Sequence, residues 1–193
     1  MSLNKFIIGT GLALFSNIVL AYNIGVYGQV GKGMAPVHNE LTPGYHDTAY
    51  YTHYQLGVLF NSSMLVDEDR SHRFSFAYEN KNRNFKGEER NRNGIGISYA
   101  YIFRIKKLSM GPLWLGPMFR LVKYDGDITD EKNLEDVTFT IPGLIVGMHH
   151  KYNNDLIFSY SLELANFEFL ISDFSGDEGA TTSVHANFAV YFK

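Results

Sequence analysis

The last ten residues of the chain alternate between two kinds of side chain, and this pattern constrains the fold more than any other feature. The apolar positions are Val184, Ala186, Phe188, Val190 and Phe192, and the positions between them are His185, Asn187, Ala189, Tyr191 and Lys193. Successive side chains of a β-strand point to opposite faces, so the run predicts a strand with one apolar and one mixed face. Similar alternation recurs along the chain and predicts eight strands of about ten residues, the length at which a tilted strand crosses a bilayer.

The N-terminus has the composition of an export signal. Lys5 precedes a mostly apolar stretch, and Val19 and Ala21 occupy the −3 and −1 positions of a cleavage site. We therefore predict a secretory signal peptide over residues 1–21 and a single mature domain over residues 22–193. After the signal there is no run of about 20 apolar residues, so insertion of the mature chain into a membrane would require strands in a closed barrel.

Composition excludes several kinds of function. The chain has no cysteine, which rules out disulfides, cysteine-ligated zinc and thiol catalysis. It carries 17 basic against 20 acidic residues, for a net charge of −3, and this balance argues against a nucleic-acid partner.

The two faces of the predicted strands differ in a way that favours a barrel in lipid over a barrel in water. In the fourth predicted strand, Ile95, Ile97, Tyr99, Tyr101, Phe103 and Ile105 oppose Gly94, Gly96, Ser98, Ala100, Ile102 and Arg104. Elsewhere the second face mixes small residues with His, Gln, Arg and Glu, which suits a narrow lumen better than a water-facing surface. We therefore predict an all-β fold, an eight-stranded antiparallel up-and-down transmembrane barrel with a polar, side-chain-filled lumen. The alternative is a soluble secreted or periplasmic β-barrel that binds a ligand, because it shows the same period with its apolar face inward.

Two strands are less regular than the others. Trp114, near the start of the fifth predicted strand, suits an aromatic girdle at a membrane interface. The sixth predicted strand has apolar residues on both faces, which leaves its facing open. Pro142 interrupts this strand, and we predict a bulge or a shifted register there.

The connections between the predicted strands alternate in length. Long polar segments cover residues 31–49, 80–93, 125–136 and 166–183, whereas residues 106–111 and 151–155 form short connections and residues 62–72 an intermediate one. Outer-membrane barrels have short periplasmic turns and long external loops. This order predicts that both termini lie on the periplasmic side.

The signal peptide, the strand count, the alternation of connections and the aromatic-rich last strand together resemble the family of small eight-stranded outer-membrane barrels, of the OmpX, Ail and OmpA-membrane-domain type. The resemblance covers the whole mature chain. It implies a location in the outer membrane of a Gram-negative bacterium and a structural or adhesin-like role at the cell surface. It also implies contact with outer-membrane lipids and lipopolysaccharide, recognition of the C-terminal strand by the barrel-assembly machinery, and a host or surface protein as a partner of the loops. No cofactor is expected.

Charged residues on the second face predict an ion-pair network across the lumen. Its expected members are Arg73, Glu79, Arg104, Arg120 and Glu163. Isolated charges in a narrow barrel would be costly, and both signs are available to neutralise one another.

Charge is also sorted among the predicted outer loops. The second loop is basic, with Lys81, Arg83, Lys86, Arg90 and Arg92. The third and fourth are acidic, with Asp125, Asp127, Asp130, Glu131, Glu135, Asp136, Asp173, Asp177 and Glu178. Either these are solvated loops that attract each other, or the basic loop is a binding site for lipopolysaccharide phosphates or an acidic host polymer.

An enzymatic function is not favoured by the arrangement of potential catalytic residues. A lipid A-modifying enzyme is nevertheless an alternative, and its best candidates for nucleophile, base and orienting acid are Ser183, His185 and Glu163. Ser183 and His185 would share a strand face, but that face points to the lumen. His149 and His150 are neighbours in a strand and therefore face opposite ways, so no metal site is predicted. The ligand and the oligomeric state are left open.

Overall fold

In the computed structural model, residues 23–38, 46–63, 67–124, 137–166, 169–170 and 182–192 are described. The strands are β1 (Asn23–His38), β2 (His46–Asn61), β3 (Arg70–Phe85), β4 (Glu88–Leu108), β5 (Gly111–Tyr124), β6 (Val137–Lys151), β7 (Leu156–Asn166), β8 (Phe169–Leu170) and β9 (Thr182–Phe192). Over these ranges, no helix is long and apolar enough to cross a membrane. The predicted signal peptide, residues 1–21, lies outside the described residues.

Eight of these strands close into a barrel. Each strand from β1 to β6 pairs with the next of the eight, and β9 pairs with both β7 and β1, which closes the sheet. Every pairing is antiparallel. The two-residue strand β8 adds to β6 at one end. The predicted closed, all-β, eight-stranded up-and-down barrel is therefore confirmed.

The strands are strongly staggered around the barrel. Register partners lead from Asn23 through Asn61, Arg73, Ala100, Met118, Gly143, Ala165 and Ser183 to Gly33. One circuit thus returns to β1 ten residues further along, from position 23 to position 33. Eight strands with this shear leave an interior just wide enough to be filled by side chains.

The outer face of the barrel is apolar on every barrel strand. We call this surface the apolar belt, and its exposed members include Ile24, Val26, Val30, Leu56, Phe76, Tyr78, Ile95, Ile97, Phe103, Phe119, Leu121, Leu144, Tyr160, Leu162, Leu164, Val184, Phe188 and Phe192. Leu56 is the extreme case, with 72% of its surface exposed. The outward apolar face predicted from the alternation is confirmed for these positions except Leu144, whose facing the sequence left open.

The inward side chains fill the lumen and are of two kinds. Apolar groups form separate clusters, one around Tyr27, Leu59 and Tyr191 and another around Ile102 and Trp114. Polar and charged groups are buried beside them in equal number, sixteen of each among the described residues. The interior of this part of the barrel is therefore mixed, and a lumen of polar character throughout stays a prediction.

One expectation about an individual strand is corrected, and the facing of β6 is defined. Trp114 is fully buried in the lumen and does not belong to an interfacial girdle. In β6, Leu144 faces outward and Ile145 inward. The β5–β6 ladder passes Pro142 without a shift, but on the other side of β6 the register changes by one residue between Gly143↔Ala165 and Thr140↔Phe169, so the predicted shift is present there. A second register shift, not predicted from the sequence, lies in β4 between Arg104 and Lys106.

Strand extensions replace much of the predicted outer loops. The β1–β2 ladder continues to the pair His38↔His46, and the β3–β4 ladder continues to Phe85↔Glu88. Only Lys86 and Gly87 form the turn between β3 and β4, both with positive φ, 52° and 85°. Residues 80–93 are therefore a long β-hairpin, which we call the basic hairpin, and its end of the barrel is the hairpin end.

Shorter connections lie at the other end, here called the turn end. They comprise residues 62–69, 109–110 and 152–155 between the strands concerned. Both chain ends of the barrel lie here as well, since Ile24 pairs with Phe192. The predicted acidic loops, residues 125–136 and most of 166–183, lie outside the described residues.

Candidate functional site

A cluster of buried charges joins three non-adjacent strands across the lumen. Arg120 on β5 forms ion pairs with Glu79 on β3, at 3.5 Å between Nη1 and Oε1, and with Glu163 on β7. The Tyr124 hydroxyl donates a hydrogen bond of 3.0 Å to Oε2 of Glu79. We call Glu79, Arg120 and Glu163 the central cluster. Because a buried charge without a partner is very unfavourable, the cluster links β3, β5 and β7.

Small residues on β4 leave the space that this cluster occupies. A Cβ atom at Gly96 would lie 2.5 Å from Oε1 of Glu79. A Cβ at Gly94 would lie 2.7 Å from Cδ1 of the Tyr124 ring. The small inward residues that the sequence shows in this strand therefore make room for long side chains from β3 and β5.

Two of the five predicted network members lie elsewhere. Arg73 donates hydrogen bonds to Asn61 Oδ1 at 3.3 Å and to the Tyr191 hydroxyl at 2.8 Å, and its guanidinium stacks on the Trp114 ring. Its partners are thus neutral rather than acidic. Arg104 is only half-buried, sits beside the β4 register shift, and forms its ion pair with the exposed Asp69. The predicted network is corrected to the central cluster, with Arg73 in an aromatic environment and Arg104 at the rim of the turn end.

Ser183 and His185 are hydrogen-bonded to each other, but Gln29 separates His185 from Glu163. The His185 Nε2 and Ser183 Oγ atoms are 2.8 Å apart. On the other side of the ring, the Gln29 amide nitrogen contacts His185 Nδ1 and donates a bond of 3.3 Å to Glu163 Oε2. Glu163 and His185 are register partners on β7 and β9, which explains their proximity.

This arrangement does not have the chemistry of a catalytic triad. With an amide donor at Nδ1, the neutral imidazole carries its proton on Nε2 and donates to Ser183, whereas a general base must accept the serine proton there. The charge of Glu163 is already neutralised by Arg120. Ser183 and His185 are also 2% and 1% exposed, so an acyl chain outside the barrel cannot reach them. The three residues act as parts of a buried hydrogen-bond network.

The basic hairpin has its cations and its amides on opposite faces. Lys81 belongs to the lumen, since it is buried and its Nζ lies 4.3 Å from the centre of the Tyr51 ring. Arg83 and Arg92 continue the same inward face and are half-buried, while Lys86 is exposed in the turn. For Arg90 only the backbone position is described, directly opposite Arg83. Of the five predicted cations, Lys81 is therefore not an exposed loop residue.

The outward face of the basic hairpin is made of asparagines together with the acid Glu89, the register partner of Asn84. Asn80, Asn82, Asn84, Asn91 and Asn93 occupy it. Asn80 is the register partner of Asn93 and donates a hydrogen bond of 2.8 Å to its side-chain oxygen. On the inward side the register sets Lys81 opposite Arg92 and Arg83 opposite Arg90. Basic residues therefore occupy facing positions of this ladder.

No metal centre is evident in the described part of the chain. Those residues contain no group of three side chains that could hold a metal ion. The opposite facing of the two adjacent histidines is as predicted: His149 is fully buried beside Trp114, whereas the His150 imidazole donates to the Met110 carbonyl at 2.9 Å. That the protein uses no metal and no cofactor stays a prediction.

A small polar cavity lies inside the lumen next to the central cluster. Its volume is about 30 Å³, and its lining includes Gln55 and Asn187 as well as Arg73 and Arg120. The amide nitrogens of Gln55 and Asn187 make no hydrogen bond within the described part of the barrel. A space of this size holds about one water molecule, which these donors could bind.

Gln29 and Trp114 are the main lumen residues that sequence reasoning missed. Both lie at inward positions of their strands, and strict alternation from Ile24 or Leu113 gives this facing. Their partners could not be read from the alternation, because His185 and Arg73 lie on other strands.

Comparisons with known proteins support the fold. No protein-family model and no curated protein sequence matches this chain. The chain is structurally similar to the outer membrane protein OprG from Pseudomonas aeruginosa, with a TM-score of 0.52 and 11% identity over 90% of this chain and 96% of that one. Lower scores relate it to Neisserial surface protein A, at 0.45 with 13% identity over 87% and 96%, and to Ail of Yersinia pestis in complex with the heparin analogue sucrose octasulfate, at 0.37 with 12% identity over 88% and 97%. The similarity to OprG shows the same barrel architecture as small outer-membrane barrels.

Proposed function

We propose that this chain is an integral outer-membrane β-barrel protein that binds an anionic ligand at the cell surface through its basic hairpin. The observation that carries the first part is the apolar belt, which runs around all eight barrel strands. Monomeric soluble proteins rarely expose a contiguous apolar patch of more than a few hundred Å². In a bilayer the same surface contacts lipid tails, and the closed sheet leaves no strand edge unpaired in hydrocarbon.

The soluble alternative conflicts with the facing of the side chains. A ligand-carrying barrel in water turns its apolar side chains inward, whereas here Leu56, Ile97 and Leu162 face outward. Their inward neighbours include Gln55 and Ser161, which are buried. Side chains alternate strictly along each strand. An inward apolar face would therefore require every strand to shift by one residue and present its opposite face to the lumen.

The orientation follows from the two ends of the barrel. Outer-membrane barrels have short turns in the periplasm and longer elements outside. We therefore infer that the turn end, with both chain termini, faces the periplasm and that the basic hairpin projects from the cell. We also retain the prediction that β9, which closes the barrel against β1, is the strand recognised by the barrel-assembly machinery during insertion.

The facing of the hairpin cations favours one of the two anionic ligands considered. Arg83 and Arg92 are on the side of the hairpin that is continuous with the lumen, so they face the barrel axis. The asparagines are on the outer side, toward the surrounding lipopolysaccharide. This geometry favours an acidic polymer arriving from solution as the ligand of the cations, a role that fits an adhesin-like protein.

Membrane insertion is tested first. The full chain is expressed in a Gram-negative host, extracted with detergent from the outer-membrane fraction, and compared on gels before and after boiling. A heat-dependent mobility shift, with protease cleavage of whole cells confined to the hairpin end, is expected. Recovery in the periplasmic fraction without detergent, and with no shift, would refute the membrane assignment.

Polyanion binding is tested with variants of matched charge. Arg83→Gln with Arg92→Gln removes two positive charges from the inward face, and Asn84→Glu with Asn91→Glu lowers the net charge by the same amount on the outward face. Binding of dextran sulfate to the purified barrel is expected to weaken by about tenfold or more in the first variant and much less in the second. Equal weakening would mean that only net charge matters, and unchanged binding in both would remove the hairpin role. Neutral dextran is the ligand control.

A further inference from the structure

A groove on the outside of the turn end combines cations with lipid-facing apolar groups. It lies between the start of β3 and the end of β4 and has a volume of about 670 Å³. Four cations line it, Arg70, Arg104, Lys106 and Lys107. Tyr101, Phe103 and Ile105 supply its apolar wall, and Phe103 and Ile105 are exposed on the outer surface of the barrel.

The register shift in β4 determines which way the lysines face. Arg104 pairs with Trp114, but Lys106 pairs with Leu113, so Ile105 is an extra residue without a register partner. Leu113 lies on the outward face of β5, and residues directly opposite each other in a ladder share a face. The bulge therefore turns Lys106 to the lipid-facing side, where continued alternation would have turned it inward. Bulges that re-aim a side chain in this way are common at the rims of barrels.

The groove keeps a positive excess after its own acid is counted. Asp69 is the one acidic residue in the lining, and it is held by Arg104 through an ion pair and by a hydrogen bond of 2.8 Å from the Arg104 amide to its carbonyl. Asp67 and Glu68 are nearby in the same connection but do not line the groove. Within the described residues, Arg70, Lys106 and Lys107 take part in no ion pair.

We propose that this groove binds the headgroup of an anionic phospholipid in the leaflet at the turn end. The phosphate lies against Lys106 and Arg70, Lys107 at the rim adds positive charge, and an acyl chain descends over Ile105 and Phe103. Lysine side chains at a membrane rim extend their ammonium groups to the headgroup level while their stems stay in apolar surroundings. This proposal rests on the proposed membrane location, because it assigns the ligand to the inner leaflet of that membrane.

The test uses the full chain purified from the outer-membrane fraction in detergent. Native mass spectrometry measures retention of added phosphatidylglycerol and of zwitterionic phosphatidylcholine. Wild-type protein is expected to retain phosphatidylglycerol preferentially. In Lys106→Gln with Lys107→Gln its apparent affinity is expected to fall by about tenfold or more. Lys151→Gln, which removes one exposed cation from the same end outside the groove, is the control and is expected to keep the preference.

Each outcome distinguishes a phospholipid site in the groove from a general effect of charge or from a phosphate site. Equal retention of both lipids by the wild type, or equal loss in the control variant, would overturn the proposal. Displacement of phosphatidylglycerol by excess inorganic phosphate at constant ionic strength would assign the site to free phosphate instead. The heat-dependent gel shift of the wild type is measured in parallel. Absence of that shift in the wild type would refute the membrane assignment itself, independently of the groove.

Discussion

The guanidinium carbon of Arg73 lies 4.5 Å from the centre of the Trp114 ring. The two side chains come from β3 and β5, and both are buried in the lumen. A desolvated cation over an indole ring is stabilised by about 2 kcal/mol, which partly replaces the carboxylate partner expected for Arg73. His149 and Tyr191 pack in the same region. The ring centre of His149 lies 5.3 Å from that of Trp114, and the ring centre of Tyr191 lies 5.7 Å from that of His149. This aromatic layer fills the lumen toward the turn end.

The position of Trp114 can be tested by fluorescence, because it is the only tryptophan of the chain. We expect its emission to be blue-shifted and only weakly quenched by lipids brominated on their acyl chains, since the ring is inside the barrel. A matched variant, Trp114→Phe with Tyr160→Trp, moves the indole to an outward position that is 47% exposed. Strong quenching is expected there. Equally strong quenching of wild-type Trp114 would return it to the membrane interface.

Truncation of the same ring should be costly for stability. Trp114→Ala removes the largest fully buried side chain and is expected to lower the free energy of unfolding by about 3–5 kcal/mol, because the closed barrel cannot collapse into the space. Urea unfolding in detergent, followed by the gel shift of the folded form, measures this. A loss below about 1 kcal/mol would contradict the packing described.

Removal of Arg120 should expose the cost of two buried carboxylates. Arg120→Met leaves Glu79 and Glu163 without their shared cation and is expected to reduce the free energy of unfolding by about 3–5 kcal/mol. Adding Glu79→Gln and Glu163→Gln to this variant is expected to restore part of the loss. Lys151→Met, at an exposed site, should change it by less than about 0.5 kcal/mol. Failure of the neutral triple variant to recover stability would mean that packing, not charge, dominates the cluster.

The turn of the basic hairpin offers a stabilising substitution. Lys86 has a φ of 52°, a left-handed conformation that is unfavourable for most residues, and it precedes Gly87. Lys86→Asn creates the Asn-Gly pair preferred in two-residue hairpin turns and is expected to stabilise the protein by up to about 1 kcal/mol. A higher urea midpoint with an unchanged slope is the expected observation. A lower midpoint would show that the Lys86 side chain contributes more than its backbone strain costs.

The buried Ser183–His185 pair should matter for stability and not for lipid chemistry. Ser183→Ala removes one hydrogen bond inside the lumen and is expected to cost about 1 kcal/mol. Mass spectrometry of lipid A from cells with the wild-type gene, the variant and no gene is expected to give the same pattern. A modification that requires both Ser183 and His185 would instead support the lipid A-modifying alternative.

The alternation of apolar and polar side chains along each strand predicted most of the architecture. The outward facing of Ile24, Leu56, Ile97 and Leu162 follows from period-two patterning, because a strand that borders lipid on one side must have apolar residues at every second position. The loop predictions were weaker. Polar residues in 80–93 suggested a loop, yet the same residues alternate between cations and asparagines, and this alternation continues a ladder.

Contacts across the lumen were decided by the tertiary structure alone. The sequence determines that Glu79, Arg120 and Glu163 face inward, but the ten-residue shear of the closed sheet brings these three together and leaves Arg73 beside Trp114. The bulge at Ile105 likewise turns Lys106 to the outer surface, with no signal in the local pattern. The physical reason is that facing depends on neighbours along one strand, whereas partners inside a barrel depend on stagger and on which side chains fill a shared volume.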